Sequence, residues 1–264
     1  YKIETMEVKT DIGNCIFCDK PLDNSDEHII PDCLNGRLRS TKLICHICNT
    51  KKFGRKIGPI VKQLFNTTLL VLGLENAKSV HSEDPEGTKY LYNKTGKVTR
   101  IKPELTEIKK DGKTYIRVNG DKKNAVKYFT KHTAELLKSG YKSLKFNVKE
   151  INSNAPPLRI ESKFKITKEI ILELNKIAIE FYAYSGLKLS HVRHLSERVH
   201  VLDPELNNVI FCNWQGEVRT IGQQEISHLI VLRTNQSGTL YCYIELFNII
   251  CAYIELYGNS RVFL

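Results

Sequence analysis

The sequence predicts an α+β protein: a small ββα unit stapled by a metal, followed by a larger α+β domain with antiparallel sheet. Three observations carry this expectation. Two Cys-x-x-Cys pairs, Cys15/Cys18 and Cys45/Cys48, bracket a segment too short to build a core of its own. Inside and just beyond them the pattern runs short strand, turn, short strand, helix. Later in the chain, alternating apolar segments interleave with segments of helical period.

Taken in order, residues 1–14 carry no strong pattern, and Cys15 to Cys18 reads as a tight knuckle followed by a polar turn, Asp19 to Asp26. Glu27 to Pro31 reads as a short strand that Pro31 closes, because proline cannot continue a ladder. Asp32 to Thr41 reads as a loop with Asn35-Gly36 at its tip, and Lys42 to Cys45 as the returning strand. Asn49 is expected to cap the helix that follows. Gly58-Pro59 breaks the chain, and Ile60 to Leu74 has helical spacing.

Ala77 to Gly87 is polar and loop-like, and Thr88 to Asn119 reads as a small antiparallel meander. Lys122 to Lys138 is predicted helical, and 144–148 and 158–164 are predicted strands on either side of a break at 152–157. Thr167 caps a helix through Tyr184 that Gly186 ends. Ser190 to Leu206 is charged and fits neither period, after which 209–212, 218–221, 228–233, 239–246 and 249–256 read as strands. The domain organisation expected is therefore a unit at 1–58, a connecting helix and loop at 59–85, and an α+β domain at 86–264 to which the sequence assigns no role, recognition and dimerisation being the candidates.

Composition narrows the class. Of 264 residues 41% are hydrophobic and 26% charged, as in ordinary globular proteins, and the net charge of +11 favours a polyanionic partner. Residues 33–63 hold eight Lys or Arg and no Asp or Glu, among them Arg37, Arg39, Lys51, Lys52 and Arg55. Such a run is either a solvated face or a phosphate-facing surface, and its one sign beside a metal clamp favours the second. The apolar run Leu240 to Leu256 contains Glu245, Asn248 and Glu255, too polar for a membrane span. No secretory signal pattern opens the chain, so a reducing cytoplasm is expected.

Two Cys-x-x-Cys pairs can close a tetrahedral zinc site with no open position, the arrangement of structural rather than catalytic zinc. The metal would then supply folding energy that the small unit lacks. Glu27, His28 and Asn49 lie within this frame. A carboxylate and an amide oxygen suit a hard cation such as Mg²⁺, and a neutral imidazole can take a proton from water. Adjacent strand residues point to opposite faces, however, so the residues alone leave a satisfied structural histidine as an equal alternative.

The run Cys-x-x-Cys, Glu27-His28-Ile29-Ile30-Pro31, Leu43-Ile44-Cys45-x-x-Cys48-Asn49 and Lys52-Phe53-Gly54 resembles the HNH endonuclease family, with its ββα-metal fold, over residues 13–56. The resemblance implies metal-dependent hydrolysis of DNA phosphodiester bonds. It makes His28 the general base, and Glu27 and Asn49 ligands of a single catalytic Mg²⁺ or Mn²⁺. It implies a restriction or phage-defence setting, and a homodimer wherever both strands are cut, since the chain holds one copy of the motif. The strands between Thr239 and Leu256 are the expected dimer surface. The sequence departs from the family at its central Asn, where Ser40-Thr41-Lys42 stands, which implies weakened or conditional activity. The rival reading is a non-catalytic zinc module that only binds nucleic acid. His191, His194 and His200 lack a fourth ligand and a fixed element and are read as solvated; Cys33, Cys212, Cys242 and Cys251 are read as buried apolar residues.

Overall fold

A computed structural model describes residues 13–111, 113–140, 165–212 and 226–258. The strands expected at 144–148, 158–164 and 218–221, the break at 152–157 and Trp214 lie outside the described residues. The chain divides into two compact units, one formed by Tyr1–Phe65 together with Phe164–Leu264, the other by Asn66–Lys163. The sequence instead suggests divisions at 58 and 85. Segments distant in sequence share a unit because the C-terminal third bonds to the N-terminal segment, Ser196 to Ile16, Lys176 to Glu27 and His228 to Leu34.

The first unit begins with a two-stranded ladder, β1 (Glu27–His28) and β2 (Arg39–Ser40), pairing Glu27 with Ser40 and His28 with Arg39. The returning strand thus lies earlier than Lys42 to Cys45, inside the stretch expected to be loop. A helix with wide π-type turns follows at Ile47–Gly54, and α1 (Gly58–Val71) continues it, with Pro59 in the first turn where its missing N–H costs nothing. Asn49 is therefore not an N-cap, because it lies inside the helix. The N-terminus is capped from a distance: both carboxylate oxygens of Asp23 accept from the His46 N–H at 3.0 Å.

In the second unit β3 (Val80–Glu83), β4 (Lys89–Tyr92) and β5 (Val98–Arg100) form a three-stranded antiparallel sheet, and β6 (Glu104–Lys110) pairs with β7 (Lys113–Asn119) as a hairpin. Strand β3 falls within the stretch read as loop; its Ser82 is buried and Glu83 pairs with Lys89, so ladder pairing outweighs a polar composition. Helix α2 (Lys122–Lys138) starts at Asp121, whose side chain accepts from the Asn124 N–H.

The first unit is completed by α3 (Lys168–Tyr184), α4 (Arg193–His200), and β8 (Val209–Phe211), β9 (Leu229–Thr234), β10 (Leu240–Leu246) and β11 (Ile250–Tyr257). The four strands form an antiparallel sheet in the order β8-β11-β10-β9. Helix α3 is buried almost all round, from Leu172 through Glu180, as expected of a helix covered on more than one side. The sheet's two central strands, β10 and β11, bury most of their apolar side chains within the unit, Cys242, Ile244, Ile254 and Leu256 among them. The surface expected for a dimer between Thr239 and Leu256 is thus largely consumed by the unit's own core. Among the described residues no helix is long and apolar enough to cross a membrane.

Candidate nuclease site

The two cysteine knuckles are held together by backbone. The Ile16 N–H donates to the Leu43 carbonyl at 3.0 Å, and the first knuckle turns back at Asp19, whose φ is 60° and whose N–H donates to the Cys15 carbonyl. This brings the sulfurs of Cys15, Cys18, Cys45 and Cys48 within 4.8 Å of one another, with Cys18 and Cys45 3.5 Å apart. A tetrahedron of thiolates with Zn–S near 2.3 Å has S–S edges of about 3.8 Å, so the four-sulfur set fits a structural zinc ion in number, softness and spacing. Within the cluster the hydrogen bond from Cys48 outweighs burial and holds the Cys15 thiol down at about 4, the same bond pushes Cys48 up, and burial pushes Cys18 up. Phe17 from the first knuckle packs edge-on against Phe53 of the π-type helix at 4.9 Å, joining the clamp to the ββα frame.

Glu27 and His28 diverge, as adjacent strand residues must. Glu27 turns inward and is 4% exposed. Its Oε1 accepts from Lys176 Nζ at 2.6 Å, a lysine supplied by α3 and itself 3% exposed. Glu180 and Glu173 lie on the same helix, 3.1 and 3.7 Å from that ammonium. Burial works against the charge of Lys176, but Glu180, Glu27 and Glu173 together hold it well above the ordinary lysine range. Burial pushes the Glu180 and Glu173 carboxyls up, against the pull of Lys176. Breaking such a buried pair by removing one partner typically costs about 3–5 kcal/mol.

His28 is half-buried. Its Nε2 has no hydrogen-bond partner among the described residues, and the Asp32 carboxylate lies 3.7 Å away. Asn49 reaches back from the helix: its Nδ2 donates to the Asp26 carbonyl at 3.0 Å and to the Ser25 hydroxyl at 3.1 Å. It therefore braces the backbone just before Glu27. Ser40, in the segment that stands at the family's central Asn, accepts from the Lys42 N–H at 3.1 Å and so braces its own turn.

The donor chemistry fits a hard divalent ion. Glu27 offers carboxylate oxygens, and Glu173 and Glu180 each have one buried oxygen without a hydrogen-bond partner among the described residues. The obstacle is Lys176, which already occupies the Glu27 carboxylate.

Of the basic residues, Arg37, Lys51 and Arg55 are exposed, as is Arg39, which pairs with Asp26 at 3.1 Å. Lys52 differs from expectation: its ammonium donates to the His200 carbonyl at 2.8 Å and touches the His200 ring, so it ties the π-type helix to α4. Two further interactions tie α4 to the first knuckle, Ser196 Oγ donating to the Ile16 carbonyl and Arg193 pairing with Asp19 at 3.3 Å. His191 instead meets the Tyr182 hydroxyl at 3.1 Å, and among the described residues the three histidines 191, 194 and 200 form no metal cluster.

Sequence pattern alone did not single out Glu173, Lys176 and Glu180. Their signal is present: three charges at i, i+3 and i+7 interrupt a helix that is otherwise apolar on that face. No curated protein and no solved structure matches the chain. Residues 15–65, which carry the four cysteines, the ββα frame, Glu27, His28 and Asn49, match the family of HNH endonucleases.

Proposed function

We propose that the protein is a metal-dependent endonuclease that hydrolyses DNA phosphodiester bonds at the ββα site. The observation that carries the proposal is His28 Nε2 inside the matched segment, a buried nitrogen without a hydrogen-bond partner among the described residues, where the resemblance requires a base. A neutral imidazole whose nitrogen has no protein partner can take a proton from a water that reaches it to attack phosphorus. The Asp32 carboxylate lies 3.7 Å from that nitrogen. Asn49 fixes the backbone that carries Glu27 and His28. Glu27 and Asn49 would hold the divalent ion, which when bound stabilises charge on the phosphate and the leaving oxygen.

His28→Ala is expected to slow plasmid nicking in Mg²⁺ or Mn²⁺ by about 10²–10⁴-fold, the usual contribution of a general base, with zinc content and melting unchanged. Equal rates in wild type and variant, or no cleavage by wild type under any metal with DNA binding intact, would make this a silent zinc module. A restriction or phage-defence role depends on the same chemistry. Protection of cells from phage by wild type but not by His28→Ala is its test.

For binding, Arg37, Arg39, Lys51 and Arg55 are the proposed phosphate partners, all exposed near the site. Replacing Arg37, Lys51 and Arg55 by Ala is expected to weaken binding to all sequences alike. It should flatten the plot of log affinity against log salt by about 0.9 for each phosphate no longer neutralised. An unchanged slope would make the run a solvated face. The zinc-type cluster of four cysteines supports a reducing compartment such as the cytoplasm; recovery of the chain with disulfides from its native cells would oppose that placement.

A further inference from the structure

We propose that Lys176 is a positioning residue of the nuclease site: its ammonium holds the Glu27 carboxylate inside the first unit, and a divalent ion reaches Glu27 only by displacing it. The proposal deepens the nuclease reading and takes its meaning from it, but its main readout is ion binding and needs no cleavage.

The geometry is specific. Of the three carboxylates around Lys176, Glu173 and Glu180 belong to its own helix, at i−3 and i+4. The third and nearest, at 2.6 Å, comes from β1, beside His28. The ammonium also lies 5.9 Å from the centre of the Phe53 ring, on the same helix as Asn49. One side chain from the C-terminal third of the chain thus reaches both the strand and the helix of the matched segment.

Stability alone does not call for this arrangement. Apolar side chains of similar volume would fill the space without desolvating four ionisable groups, and such replacements are often neutral or stabilising. A cation placed on the carboxylate that a metal would use has a different consequence. It keeps Glu27 aimed and ordered without a metal, and it sets the threshold that an incoming ion must exceed. Glu173 Oε1, 3.7 Å from the ammonium, and Glu180 Oε1, which has no hydrogen-bond partner among the described residues, are placed to take part when the ammonium withdraws, since a hard ion collects oxygen donors.

The test titrates Mn²⁺ into the zinc-loaded, full-length chain and reads free Mn²⁺ by electron paramagnetic resonance. Lys176→Met is expected to bind Mn²⁺ at least tenfold more tightly than wild type. The gain should vanish in the double variant with Glu27→Gln, and Lys176→Arg should stay within threefold of wild type. Equal affinity in wild type and Lys176→Met, or a gain that survives Glu27→Gln, would overturn the proposal and leave a structural ion pair. Should Lys176→Met lack a cooperative melt, acetylation of wild type decides, followed by mass spectrometry. Lys176 is expected to react at least fivefold faster in saturating Mn²⁺, and an unchanged rate overturns the proposal. Absence of plasmid cleavage alongside the expected Mn²⁺ shifts would remove the nuclease reading alone. Cleavage without those shifts would remove the role of Lys176 alone.

Discussion

Cys48→Ser is expected to strip the chain of zinc and melt the ββα frame while leaving much of the C-terminal sheet intact. Wild type should carry one zinc per chain and the variant close to none. Structural zinc contributes an apparent 10–16 kcal/mol or so in small zinc modules, comparable with the whole stability of an ordinary domain. Within the frame itself there is little regular structure to replace the metal, although α3 and α4 bond to it. Its ladder is two residues per strand, and Cys15, Ile16, Phe17, Cys48 and Phe53 are buried around the sulfurs themselves. The sheet has its own support, since β10 and β11 pair over seven residues and are buried against the unit's core. Hydrogen exchange followed residue by residue is the measurement: amides between Ile16 and Ile57 should lose protection, and those of β10 and β11 should keep most of it. Cys33→Ser is the control, because Cys33 is outside the cluster and should leave zinc in place. Clean wild-type protein without zinc, yet fully protected, would dismiss the clamp.

How far the sequence could be read follows from which forces act locally. The cysteine clamp was legible because a metal imposes its spacing directly on neighbouring residues. The strands of the C-terminal sheet were legible because each carries its own period: the expected 209–212, 228–233, 239–246 and 249–256 lie within about two residues of the observed β8 to β11. Helix α3 was legible as a helix for the same reason. Its function was not, because the partner of Lys176 lies 149 residues away in sequence, and nothing local in a Glu-x-x-Lys-x-x-x-Glu pattern separates a buried cluster from a solvated face. Asn49 shows the opposite error. Asparagine is a good N-cap, so local propensity placed the helix start there, but Asp23 caps the helix through space and frees Asn49 to brace the strand. Lys52 was misjudged likewise, since a count of positive charge cannot reveal that its ammonium is committed to His200.

Gly36→Ala is expected to be the most damaging single methyl in the first unit. Asn35-Gly36 reads in sequence as the free tip of a turn, where an added methyl would meet only solvent. The folded loop is different. Pro31 is followed by a tight turn at Asp32–Leu34, Asn35 takes a left-handed φ of 65°, and the Gly36 N–H returns to the Pro31 carbonyl at 3.3 Å. This lays Gly36 flat against Ile30, where a Cβ would stand 1.8 Å from the Ile30 carbonyl oxygen and 2.6 Å from its carbon. Both are backbone atoms of the residue that leaves β1, so neither can swing aside as a side chain would. The loop is also held from outside, by His228 Nε2 donating to the Leu34 carbonyl at 2.8 Å. Burial keeps that imidazole in its neutral form, below the ordinary histidine range. Relief therefore requires the 31–36 loop to lift, which gives up these bonds and loosens the pairing of His28 with Arg39. The expected cost is about 3 kcal/mol, at the upper end of overpacking, or roughly 6–12 °C in the melting of a unit of this size. Nicking should fall with it, while zinc stays bound because the sulfurs lie on the other segments. Gly13→Ala is the matched control, with nothing within 4 Å of its added Cβ, and should change the melting temperature by less than 2 °C or so. A Gly36→Ala protein that melts with wild type and nicks at the same rate would mean that the loop does not pack on Ile30, and that the register setting His28 opposite Arg39 is fixed by something other than the turn.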